Sequence, residues 1–223
     1  KDVFKKEINC DSFSEIKEKK LFNEMRNFFD LWANRDSNID IGSVIIFVPS
    51  EKAGKNLYKK IFKFYSSDNS TNICPLNLTI RRNEKTDDFY NRLFGQMLIA
   101  ENERPKDAKT LFLLPVDATG TLSQEEKTLL KSRLPLAFME KLSRVFITTI
   151  KNEFLFELQD LNVIFDTGVA EVEYFDPIQS VNHIHEELLP LPFMKEHRQM
   201  LGLFSKGIYY QFNLTGHERP NSL

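Results

Sequence analysis

The feature that most constrains this chain is its alternation of short apolar runs with helical repeats. Residues 43–48, 110–114, 145–149, 162–166 and 208–212 are rich in β-branched and aromatic side chains at successive positions, as in strands buried on both faces. Residues 171–175 alternate charged and apolar side chains, which fits a half-exposed strand. Between these runs, Leu21, Met25, Phe28, Phe29 and Trp32 recur on one helical face and predict a helix over residues 14–34. Leu57, Ile61 and Phe64 predict another over 51–65, and Ser123 with Glu126 three residues later is an N-cap signature. Strands alternating with helices need crossovers. The predicted class is therefore α/β, a mainly parallel β-sheet flanked by helices on both faces.

Residues 66–109 interrupt the rhythm. They open on a polar, turn-like stretch and continue into a helical pattern over 86–101, with Phe89, Leu93, Met97 and Ala100 on one side. This reads as an insertion packed on the domain. The expected organisation is a linker and leading helix over 1–41, the main domain over 42–216 with its insertion at 66–109, and a tail over 217–223. No internal repeat is visible.

Length and composition bound the class. The chain has 223 residues, 41% of them hydrophobic, enough for a real core. A net charge of -2 and a pI near 6.2 exclude a global basic footprint for nucleic acid, leaving only a local patch. Cys10 and Cys74 are too few for a disulfide framework and point to a reducing compartment. The N-x-Ser/Thr sites at Asn69, Asn77 and Asn213 are expected by chance in an Asn-rich chain. No apolar run is long enough to span a bilayer, and no signal peptide is visible. With Lys1 in place of an initiator Met, the expectation is a soluble, cytoplasmic domain cut from a larger protein.

The search for chemistry returns little. Residues 49–56 follow a strand and contain Gly54-Lys55, but Pro49 stands at the first glycine position of a phosphate loop and Asn56 at its magnesium-binding hydroxyl. The backbone approach and metal contact both fail, so the segment reads as strand, turn and helix with a solvent-facing Lys. His183 and His185, followed by Glu186 and Glu187, have no neighbouring thiol and read as solvated or partly buried side chains, with no metal expected. His197 and His217 stand alone and receive the same reading. No nucleophile–base–orienter arrangement can be assembled, and the paired acids Glu125–Glu126 and Glu186–Glu187 read as solvated faces. No residue is assigned a catalytic role.

Four segments, in order, resemble a known family. Gly42-Ser43-Val44-Ile45-Ile46-Phe47-Val48-Pro49-Ser50 is similar to G-x-ϕ-L-ϕ-F-L-P-G, which opens the second RecA-like domain of DEAH-type RNA helicases. Leu114-Pro115 and residues 121–127 resemble L-P-L-H-S…L-S-x-E-E-Q. Residues 145–168 lie without a gap against I-I-L-S-T-N-I-A-E-T-S…V-I-D-S-G, and Tyr174-Phe175-Asp176-Pro177 follows. Gly207-Ile208-Tyr209-Tyr210 stands where the family has G-x-C-Y/F. The resemblance covers residues 14–212 and implies a RecA-like domain.

The departures fall on the hydrolytic motifs. The family's T-N-I-A-E-T-S becomes residues 149–155 here: Thr149 and Glu153 survive, but Ile150, Phe154 and Leu155 replace hydrogen-bonding groups. The family's Q-R-x-G-R-A-G-R falls on residues 196–203, so its first position is Glu196 and its arginines are replaced by His197, Met200 and Leu203. Arg198 is one place out of register. Arginines there stabilise transferred charge, with effects of about 10³–10⁵ in rate, and neither Met nor Leu supplies charge. The resemblance thus implies nucleotide- or RNA-facing positions at Thr149, Glu153, Asp166, Gly168, Glu196, His197, Arg198, Met200 and Leu203 that have lost hydrolysis.

The apolar stretch Met200, Leu201, Leu203 and Phe204 either fills an unused pocket or, with Phe89, Leu93 and Met97 of the insertion, forms a partner surface. The profile resembles degenerate germline members of the family that act with partner proteins in translational repression. That implies one or more regulatory protein partners and an association with RNA through the full-length chain. It implies no cofactor, no DNA and no membrane. The alternative is an active RNA-dependent ATPase, with ATP and Mg²⁺ as cofactors, that uses Arg198 and Lys206 as substitutes.

Overall fold

The computed structural model describes residues 3–33, 42–65, 71–75, 109–115, 128, 131, 142–150, 157–201 and 206–221. Its strands are β1 (Val3–Cys10), β2 (Ser43–Phe47), β3 (Thr71–Pro75), β4 (Lys109–Pro115), β5 (Leu142–Thr148), β6 (Leu161–Asp166), β7 (Val169–Asp176), β8 (Val181–Leu188) and β9 (Gly207–Leu214). The helices are α1 (Phe13–Glu15), a π-helical turn (Ile16–Lys20), α2 (Leu21–Ala33), α3 (Glu51–Tyr65) and α4 (Leu191–Met200). Seven strands form one sheet in the order β1-β9-β6-β2-β5-β4-β3. Every neighbouring pair in it is parallel. β7 and β8 form a separate antiparallel hairpin.

The five apolar runs are β2, β4, β5, β6 and β9, and the alternating run is β7. β2 lies at the centre and is buried at all five positions, because helices cover both faces of the sheet. On one face Val44, Ile46, Val163, Phe165, Tyr210 and Phe212 pack with the apolar sides of α2 and α3. Phe28 meets Phe165 and Tyr210 edge-on at 5.8 and 6.0 Å, and Phe29 meets Trp32 and Tyr65 at 6.3 and 6.5 Å. On the opposite face α4 lies over Phe47, Asp166 and Tyr209.

Topology explains the division. The chain leaves β2 through α3 toward β3 at one edge, but leaves β6 through the hairpin and α4 toward β9 on the other side. Right-handed crossovers running in opposite directions must place their helices on opposite faces. The gap beyond the carboxyl ends of β2 and β6 is consequently a topological switch point, where α/β sheets hold ligands.

The N-terminal segment differs from expectation. Residues 3–10 are no linker: β1 is the outer strand of the main sheet and pairs with β9 along its whole length, burying Ile8 and Cys10. The leading helix starts at a cap, with the Ser12 hydroxyl accepting from the Glu15 N–H and the Glu15 carboxylate accepting from the Asp11 N–H. It then passes through the π-helical turn before α2, a break that apolar periodicity does not register.

The amino ends of the central strands are closed by a buried polar clasp. Arg144 donates to Asp160 Oδ1 at 2.7 Å and to the Ser43 hydroxyl at 3.1 Å, and Ser43 donates to the same Asp160 oxygen at 2.7 Å. A side chain on Gly42 would meet Asp160 at 2.7 Å, so the glycine is required by this close approach. Burial lowers the Arg144 pKa, while the Asp160 charge and hydrogen bond act to raise it.

Candidate functional site

Two features occupy the carboxyl ends of the strands: an interior polar network under α4 and an open cavity beside α3.

The network centres on Asp166, the last residue of β6, which is wholly buried. His197 Nδ1 lies 2.6 Å from Asp166 Oδ2, so it is the protonated ring nitrogen facing this acceptor-only carboxylate. The Tyr209 hydroxyl donates to the same oxygen at 2.7 Å, and the Gly168 N–H donates to Oδ1 at 2.8 Å. The His197 ring also stacks on Phe47, with centroids 3.9 Å apart and planes 7° from parallel. Burial pushes the Asp166 carboxyl upward, but the His197 charge and the hydrogen bonds from His197, Tyr209 and Gly168 outweigh it and hold the group below the usual carboxylate range. Burial, and then the neighbouring Asp166 charge, raises the Tyr209 phenol well above its ordinary value.

The corner after β6 is equally closed. The Thr167 hydroxyl donates to the Phe47 carbonyl at 2.9 Å. Gly168 has a φ of 61°, and a side chain there would run into the Arg219 guanidinium. Arg219 donates to the carbonyls of Gly168 (2.6 Å), Leu189 (3.1 Å) and Phe212 (2.6 Å), tying the hairpin base to the end of β9. The Pro220 carbonyl accepts from the Leu191 N–H at the start of α4. Residues 219 and 220, expected as tail, are therefore part of the domain.

The cavity measures about 640 Å³ and lies at the switch point. Its walls include Val48, Pro49 and Ser50 after β2, Lys52, Asn56 and Lys60 of α3, Lys17 of the π-helical turn, and Glu171 and Glu186 at the hairpin base. The Ser50 hydroxyl caps α3 by accepting from the Ala53 N–H at 3.3 Å, which directs the positive end of a 15-residue helix toward this space. Lys17 pairs with Glu186 at 2.5 Å, and the Lys60 ammonium lies over the Phe22 ring. Lys52, Lys60, a helix start, and amide and hydroxyl groups suit an anionic ligand on the α3 side of the cavity, opposed by Glu171 and the Lys17-paired Glu186 at the hairpin base. Lys55, expected in solvent, is exposed and pairs loosely with Glu51 on α3.

The positions singled out in the sequence separate into groups. Met194, His197 and Met200 recur every third residue of α4 and point inward, so the positions set against the first and second arginines of the resembling motif lie inside the domain. His197 is thus neither solitary nor solvated, and its spacing between two inward methionines is the sequence signal that marks it. Leu201 is also buried, against Gly207, so Met200 and Leu201 fill interior space and contribute no exposed patch. Glu196 and Arg198 are exposed on the outer side of α4, and Thr149 is buried just beyond β5. Glu153, Leu203, Phe204, Phe89, Leu93 and Met97 lie outside the described residues, as do Ser123 and Glu126. His183 and His185 are exposed on β8, where His185 stacks on Tyr174 and lies 2.9 Å from Glu187. Among the described residues, no group of three or more His, Cys, Asp or Glu is arranged to hold a metal, and no helix is long and apolar enough to cross a membrane. The Arg219 clamp carries no sequence signal.

Comparison with known proteins places the fold. No family profile matches the chain, and no curated protein does. Among solved structures it is similar to the E. coli DExH-box NTPase HrpB, with a TM-score of 0.54, 12% identity, and coverage of 95% of this chain and 19% of that one. A second structure, the Escherichia coli DEAH/RHA helicase HrpB, gives a TM-score of 0.50 at 13% identity, covering 95% of this chain and 20% of that one. The chain spans about a fifth of the length of these structures. At this identity the likeness is one of fold: a RecA-like, helicase-like α/β domain.

Proposed function

We propose that this domain is a helicase-like module without ATP hydrolysis, serving as an RNA-associated, protein-binding scaffold in post-transcriptional control. The observation that carries the reading is the position of His197. It occupies the first arginine position of the resembling motif and is committed to Asp166 and Phe47 inside the domain. A transition-state cation must face the transferred phosphoryl group, and a buried imidazole held by a carboxylate does not. Met200, at the second position, is also buried and carries no charge. No nucleotide or magnesium requirement follows from this arrangement.

The cavity supports the RNA half of the reading. Lysine and helix-start groups at a switch point suit the phosphates of a single strand, which position a chain without reading its sequence. The degeneracy is similar to that of benign gonial cell neoplasm protein, a germline relative of DEAH helicases that acts with partners in translational repression. A cytoplasmic, germline role in translational regulation belongs to the same proposal.

Two assays on the full-length protein test it. Fluorescence anisotropy with labelled poly(U) should show salt-sensitive binding that Lys52→Glu with Lys60→Glu weakens at least tenfold. Phosphate release from ATP in the presence of poly(U) should stay at background. Clear RNA-stimulated release would overturn the loss of hydrolysis, and RNA binding indifferent to both lysines would remove the cavity from the account. A second reading, an active ATPase using Arg198 with Lys206, draws on the exposure of Arg198. It requires Arg198→Ala to abolish turnover.

A further inference from the structure

The β7–β8 hairpin extends beyond both features described above and lends only Glu171 and Glu186 at its base to the cavity. From residue 169 to 188 it carries five carboxylates (Glu171, Glu173, Asp176, Glu186 and Glu187) and no Lys or Arg. It also presents large apolar side chains to solvent: Phe175 is 64% exposed, Ile184 66% and Ile178 93%. Side chains directly opposite share a face, so the register divides the hairpin cleanly.

On one face the polar side chains engage one another. Tyr174 and His185 stack with centroids 4.4 Å apart, and both engage Glu187 at 2.9 Å. The other face carries Glu173, Phe175 and Ile184, with Glu171 and Glu186 at its base. Of these carboxylates, Glu186 meets the Lys17 ammonium. The turn is well built: Asp176 Oδ1 accepts from the Ile178 and Gln179 N–H groups, and Ser180 adopts a φ of 53°. At its base β7 is held from outside, with the Glu171 N–H donating to the Pro49 carbonyl. Among the described residues β8 pairs only with β7, so its outer edge is open.

We infer that this open face and the free edge of β8 dock an extended segment of another protein in which Arg or Lys alternates with bulky apolar side chains. A two-stranded sheet is marginal in water, and a third strand completes its backbone pairing. The charge decides the class of partner. Beyond the cavity the hairpin carries three carboxylates (Glu173, Asp176 and Glu187) and no Lys or Arg, a charge that repels a phosphate backbone but complements a basic peptide, while Phe175, Ile178 and Ile184 supply apolar contact. The inference rests on the scaffold reading and specifies the partner chemistry and the surface for it.

The test is selection of a displayed library of random twelve-residue peptides on the full chain, followed by anisotropy with the selected peptides. The selected pool should be enriched in Arg or Lys together with aromatic and aliphatic residues. Binding should weaken at least tenfold with Glu173→Arg and with Ile184→Ser, and should fall as salt rises. Both side chains are exposed; circular dichroism checks the fold of each variant, and Glu173→Arg alone decides if Ile184→Ser unfolds. An empty or acidic pool, peptides indifferent to Glu173→Arg, or poly(U) binding lost through that same substitution would each overturn the inference. The phosphate-release assay is independent, so a hydrolysing protein that still takes basic peptides would sink the hydrolysis claim and leave this surface standing.

Discussion

Asp166 and His197 form the pair on which the interior of the α4 side depends. His197→Leu would leave a buried carboxylate without its hydrogen-bonding partner, and stranding a buried charge in this way costs about 3–5 kcal/mol. The pH dependence follows from the direction of the Asp166 shift. Its folded pKa is depressed, so the stabilisation is complete above the unfolded value of about 3.9 and is lost as pH falls through the lower folded value. Without His197, burial raises the carboxyl with less to oppose it, and the acid-unfolding midpoint should move to higher pH in a circular-dichroism titration. An unchanged midpoint would mean that the pair is not coupled as described. At the adjoining corner, Gly168→Ala meets both a positive φ and the Arg219 guanidinium, so it should cost more than about 1 kcal/mol and lower Tm measurably. The run Val163-Ile164-Phe165-Asp166-Thr167-Gly168 was legible as a motif, but its internal role was not. Apart from the Gly168 N–H, the partners of Asp166 lie on α4 and β9, and the Arg219 that clamps Gly168 follows β9, contacts that local sequence does not encode.

At the scale of elements, α2 is the support of the sheet's second face. Phe28 touches both Phe165 and Tyr210, so Phe28→Ala should destabilise by about 3–5 kcal/mol in denaturant melts. Phe4, exposed on the edge strand β1, should tolerate Phe4→Ser within about 0.5 kcal/mol. Equal losses at the two sites would contradict this assignment of the core. α2, α3 and the central strands were readable because burial imposes a period on them. β1 was not, since only Ile8 and Cys10 are buried and its remaining side chains give no run. β8 escaped for the same reason: it lies on a hairpin with an exposed apolar face, where burial imposes no pattern. The π-helical turn before α2 preserves the helical face and so leaves no trace in periodicity.

For the molecule as a whole, seven parallel strands with helices divided between the faces produce a switch point; sequence alternation anticipated a mainly parallel sheet with flanking helices but not its outer strands, β1 in the expected linker and β3 in the expected 66–109 insertion. The site was less legible. Sequence identified which charges were missing from the resembling motif, but it left open whether the replacements fill the interior or face a partner. The inward face of α4 resolves this for Met200 and Leu201, which are packed inside. The lysine cavity at the switch point is assembled from the π-helical turn, α3 and the hairpin base, segments far apart in the chain. The central claim is that a helicase-like fold persists without its hydrolytic cations. The most direct test is poly(U)-dependent phosphate release from ATP by the full-length protein, measured in parallel for the wild type and Arg198→Ala. The account predicts background release in both; stimulated release by the wild type would contradict it, and a fall of about 10³-fold or more on Arg198→Ala, the scale of a lost arginine finger, would assign that activity to Arg198.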